Sequence, residues 1–153
     1  MGGASFVAIR HPNREKAESK ATKAAVTMLL LASAGLMAII TFGGWSALQG
    51  AQPIAIAFIL IDLLMAYYVA RWNRGTLPVA AALAVLIAVL SAIAAPAWFD
   101  RDKSGFHNPA LEPSLIGLLC IVLIPVSLLL VAFAMRGFQQ AWNVEVEEQH
   151  DQD

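Results

Sequence analysis

Asp62 stands in the run PIAIAFILIDLLMAYYVA, an ionisable side chain surrounded by hydrocarbon. An aspartate at the middle of a bilayer costs about 2.5–3.5 kcal/mol, so such a residue faces the protein interior and takes a partner. On a helix, Ala55, Ile59, Ala66 and Ala70 lie on or near its face, a narrow seam suited to close packing. No Lys, Arg or His occurs in the four apolar runs, so the chain offers no countercharge. Three kinds of chemistry stay open. The carboxyl is neutral and donates a hydrogen bond to a carbonyl or hydroxyl, or it is visited by a proton or metal cation. Alternatively, it pairs with an arginine or lysine of a partner subunit. Thr27, Thr41 and Ser127 are the hydroxyls of other runs that join Asp62 as a candidate intramembrane polar site.

The second candidate is WFDRDKSGFHNP, residues 98–109, the longest polar interruption between apolar runs. Asp100, Asp102 and Ser104 fall at alternate positions with Gly105 next, behind an aromatic Phe99. This resembles the first half of the calcium loop of helix–loop–helix proteins, D-x-[DN]-x-[DN]-G-x5-E. The second half departs from that pattern. Leu111 takes the position of the bidentate glutamate, Glu112 comes one residue late, and Pro109 and Pro113 obstruct the exiting helix. The resemblance covers six residues and implies no function by itself. A polar turn is the favoured reading, with Asp100, Asp102 and Ser104 as weak metal candidates. No cofactor is expected.

These residues have to be positioned by apolar elements. The chain is 59% hydrophobic and only 14% charged, where soluble domains carry about 25% charge. The deficit is concentrated in residues 24–44, 53–70, 77–97 and 114–135. Each run is about the 17–25 residues needed to cross a hydrocarbon core. The expectation is an all-α, four-helix membrane bundle of up-down-up-down order, with spans of about 24–45, 53–70, 77–97 and 114–136. Residues 1–23 form a basic, partly helical arm, 24–137 the membrane domain with an outer loop at 98–113, and 138–153 an acidic tail. The first run is read as a retained span, since it exceeds a signal core and no small-x-small cleavage site follows it.

Arg10, Arg14, Lys16, Lys20, Lys23, Arg71, Arg74 and Arg136 flank one set of helix ends; only Arg101 and Lys103 flank the other. The positive-inside bias therefore predicts a plasma (inner) membrane protein with both termini cytoplasmic. Trp45 and Trp98 at outer ends, and Tyr67, Tyr68, Trp72 and Trp142 at inner ends, fit interfacial aromatic belts. Asn13 is a candidate helix cap, and Lys16, Lys20 and Lys23 share one face beyond it.

Packing signals come next. Thr27, Ala34 and Thr41, interleaved with Leu31, Ala38 and Trp45, make a weakly polar seam. Ala80, Ala84, Ala88 and Ala92 recur every four residues. Pro125 predicts a bend near Ile121 to Pro125, with Ser127 or a neighbouring helix satisfying the freed carbonyl. The tail NVEVEEQHDQD, acidic and poor in large apolar groups, suggests a disordered end.

His11, His107 and His150 are too scattered to form a cluster, Cys120 has no neighbouring base, and phosphate-loop, CxxC and HExxH patterns are absent. An enzyme is not expected, and no basic–aromatic stretch suits nucleic acid. Partners are the lipid bilayer and either another membrane subunit or further copies of the chain. The first expectation is an accessory or assembly subunit docked onto a larger transporter or respiratory complex. The alternative is a small oligomeric ion- or proton-coupled carrier using Asp62; the third is an outer-loop sensor. The alanine-rich composition suggests a bacterial source.

Overall fold

Four helices, each long and apolar enough to cross a membrane, occupy the four apolar runs. The computed structural model describes residues 5–106 and 109–151. Strand β1 (Ser5–Arg10) leads into a one-turn helix α1 (Pro12–Glu15) and then helix α2 (Ala17–Gly43). A 3-10 turn at Trp45–Ala47 precedes α3 (Gln52–Ala70), α4 (Thr76–Asp100) and α5 (Pro113–Gln139), and strand β2 (Val146–Asp151) closes the chain. Such a helical set fits a multi-pass membrane protein.

Prolines open α1, α3 and α5, where the missing N–H would have had no helical partner. Asn13 does not cap a helix. It lies within α1, the backbone turns extended at Lys16, and its side-chain amide donates to the Ala141 carbonyl at 2.9 Å. Helix α5 continues past Pro125, as α4 does past Pro96, and both prolines sit on exposed faces. Ser127 does not compensate Pro125, because its hydroxyl has no hydrogen-bond partner.

The helices do not pack with equal intimacy. Helix α4 lies most extensively against α5, and α2 packs on both α3 and α5, whereas α3 and α4 scarcely touch. A simple round of sequential neighbours therefore fails at the α3–α4 step. One apolar core contains Val26, Leu30, Met65, Ala66, Ala84, Leu130 and the fully buried Trp142. Trp142 and Trp98 are buried inside the protein, not displayed in belts; Trp45, Tyr67 and Tyr68 are exposed.

The small-residue seams are present but rotate away from their simple spacings. Ala80, Ala84 and Ala88 are buried, yet Ala92 is exposed and Ser91 and Ala95 take over. Four-residue steps drift by about 40° each on a helix with 3.6 residues per turn. On α3, likewise, Ala66 is buried but Ala70 gives way to Val69. On α2 the buried stripe is Ser19, Thr22, Val26, Leu30, Ser33 and Thr41, the three-four alternation of a helix seam. Ala34 joins it, while Leu31 and Trp45 are exposed.

The acidic tail departs from the disorder its composition suggested. β1 and β2 pair antiparallel, Ser5 opposite Asp151 and Arg10 opposite Val146. A two-stranded ribbon is marginal alone, but here both arms are already tethered at one end of the bundle. Arg14 Nε donates to the Trp142 carbonyl at 2.8 Å beside the Asn13–Ala141 bond. Little chain entropy is left to lose when the arms meet.

Candidate intramembrane polar site

Asp62 is almost wholly enclosed, with 1% of its surface exposed. The enclosure comes from its own chain. Leu30, Ala66 and Leu130 belong to one core cluster. One helical turn further from the termini, on the same faces, come Ser33 on α2, Asp62 on α3 and Ser127 on α5. Ser33 is the hydroxyl that faces the Asp62 carboxyl. Asp62 Oδ2, Ser33 Oγ and Ser127 Oγ are buried and make no hydrogen bond of good geometry.

Of the four residues read as one polar site, Asp62 and Ser127 are each buried, but their helices α3 and α5 scarcely touch. Thr27 lies six residues before Ser33, about 9 Å along α2, and its buried hydroxyl is also unpartnered. Thr41 lies eight residues beyond Ser33, about 12 Å the other way. Ser33 itself escaped notice in the sequence. Its three-four register with Val26, Leu30 and Thr41 was the available signal.

Another turn outward, the same three faces carry Met37, Phe58 and Leu123, which with Ile87 of α4 close the inner end of a cavity of about 410 Å³. The cavity exists because α3 and α4 stand apart, and Ala55 lies on its wall. Thr41 and Ser91 line it at 2% and 5% exposure, and neither makes a hydrogen bond. The buried thiol of Cys120 also faces it.

The chain matches no family model, no curated protein and no solved structure. The functional reading therefore rests on its own geometry.

The outer loop is organised differently from a calcium loop. Helix α4 runs through Asp100, so that residue belongs to a helix end and not to a ligand loop. Asp102 accepts a hydrogen bond from the Ser114 hydroxyl in the first turn of α5, and Ser104 sits in an exposed turn. Arg101 stacks over Phe106 at 5.0 Å. Among the described residues no three of His, Cys, Asp and Glu stand together as a metal site; His107 lies outside the described residues. The backbone N–H of Leu111 donates to the Gly43 carbonyl at 3.0 Å, strapping the loop to the end of α2.

At the opposite end the basic residues make contacts within the fold. Arg74 Nε donates to the Phe138 carbonyl at 2.8 Å and its guanidinium lies 3.7 Å from the Phe138 ring centre. Gln140 bridges the two sides, donating to Thr22 Oγ1 at 2.9 Å and accepting from Trp142 Nε1 at 3.1 Å. Arg74 thus covers the Phe138 carbonyl in the last turn of α5, where the helix dipole is negative.

Proposed function

We propose that this chain is a small proton-coupled carrier, acting as an oligomer, with Asp62 as the protonation site. One observation carries the reading: the Asp62 carboxyl, 1% exposed and faced by the Ser33 hydroxyl, keeps an oxygen, Oδ2, without a hydrogen-bond partner. Unsatisfied buried oxygens are costly unless something visits them. A hard divalent cation takes six or more oxygens, so one carboxyl with a single facing hydroxyl suits a proton better. The cavity lining begins one helical turn beyond Ser33 and Asp62, at Met37 and Phe58, and offers a route by which a protonation change and a bound solute are coupled. Four helices are too few to enclose a full pathway, hence the oligomer. The eight-to-two distribution of basic residues supports cytoplasmic termini in an inner membrane.

Infrared spectroscopy on the full chain in liposomes tests this. A carboxyl band that is lost in Asp62→Asn should change reversibly as the bath is cycled between acid and alkaline. A band indifferent to the bath would end the reading. Asp62→Leu should fold at least as stably as the parent, since it removes an unsatisfied polar group, while abolishing the response.

A second reading, an accessory subunit of a larger complex, is favoured by α3. That helix is held chiefly by α2 and leaves Leu60, Leu63 and Leu64 uncovered. A foreign subunit co-purifying in fixed ratio after gentle extraction would favour it.

A further inference from the structure

We infer that the α3–α4 cavity binds an uncharged amphiphile, a molecule with a hydroxyl or carbonyl group on a hydrocarbon body, taken up sideways from the membrane. This names the substrate class of the carrier proposed above and rests on that reading for transport, though not for binding.

The volume of about 410 Å³ lies within the range of small-molecule sites. Among the described residues no Asp, Glu, Lys, Arg or His lines it, so a charged head would lose its hydration without compensation. A bare hydrocarbon fits the walls but leaves two donors idle. Thr41 and Ser91, from α2 and α4, are each more than nine-tenths buried, line the space and lack hydrogen bonds. One hydroxyl or carbonyl group on the occupant answers them. The entrance indicates the source. Ile54, Leu90 and Ile93 line the cavity and are also exposed on the helix surfaces that meet lipid, while Leu48, Ala51 and Trp98 line its far end at the helix termini. The occupant therefore arrives through the gap between α3 and α4, not from water.

The test uses the full chain in liposomes with a diazirine-bearing hexadecanol as photoprobe and mass spectrometry to locate the adducts. Labelling should fall on cavity residues such as Phe58, Leu90 and Ala94. Excess 1-hexadecanol should compete at least tenfold better than hexadecane or hexadecyl phosphate, tenfold being the worth of about one hydrogen bond. Thr41→Val with Ser91→Ala should weaken labelling about tenfold, and Ala94→Phe, which fills the space, should abolish it. Adducts outside the cavity, equal competition by hexadecane or hexadecyl phosphate, or indifference to the hydroxyl-free variant would each overturn the proposal. Labelling is expected to persist in Asp62→Asn, so failure of the protonation reading and failure of this one are separable. Mass spectrometry of lipid extracted with the purified chain distinguishes a resident membrane alcohol from a solute that must be supplied. Recovery of charged phospholipid from the cavity in place of any neutral amphiphile would count against the proposal.

Discussion

The ammonium of Lys23 lies 4.3 Å from the centre of the Trp72 ring and 3.4 Å from the Ala70 carbonyl oxygen. Trp72 in turn meets Trp142 edge to face, ring centres 5.1 Å apart. A lysine that sequence reading assigns to a solvated flank thus joins α2 to the end of α3 and caps the Trp72 ring that packs on the buried Trp142. Lys23→Met keeps the aliphatic stem and removes the charge; it should cost about 0.5–1 kcal/mol. Trp142→Ala, which empties a fully buried site, should cost about 3–5 kcal/mol. Unfolding in mixed micelles measures both, and equal losses would show that the ammonium matters for more than this contact.

Ala141 follows α5 with φ of 52°, a left-handed backbone for a residue that carries a Cβ. Helices commonly end on glycine here because the left-handed conformation costs other residues about 1–2 kcal/mol. Ala141→Gly should therefore stabilise the chain by about 0.5–1 kcal/mol after the added freedom of the unfolded glycine. The Ala141 carbonyl would still accept from Asn13. Ala141→Val should shift the melting temperature the opposite way, and a glycine variant that melts earlier than the parent would contradict the argument.

The Arg10 guanidinium, 2.6 Å from Glu15, holds the Glu15 carboxyl below the usual carboxylate range. A depressed native value means the stabilisation is present above the ordinary unfolded value and is lost as pH falls through the native one. The join between β1 and α1 should loosen on acidification, with amide exchange around Arg10 to Glu15 speeding up first. Glu15→Gln should flatten that acid response without changing exchange in α4 and α5. The pair is exposed, so the effect is local.

Hydropathy made the four helices legible, because a run long enough to cross a bilayer has few other uses. The ends were less legible. Helix α4 extends to Asp100 through residues that read as a loop, since a helix terminus accepts Asp and Arg without loss of hydrogen bonds. The ribbon was hidden altogether: Ser5–Arg10 and Val146–Asp151 are remote in sequence, and only the bundle brings their roots together. Asp62 was conspicuous by its charge; Ser33 was not, because a serine in an apolar helix is common and its importance depends on what it faces.

Composition and period determined how many helices there are, roughly where they run and which acid must be shielded, because these follow from local hydrophobicity and a 3.6-residue repeat. The three-dimensional packing alone decided that Asp62 is enclosed by its own chain, that Ser33 faces it, and that α3 and α4 part to leave a cavity. Those outcomes depend on which faces of distant segments meet, and no window of sequence contains both partners.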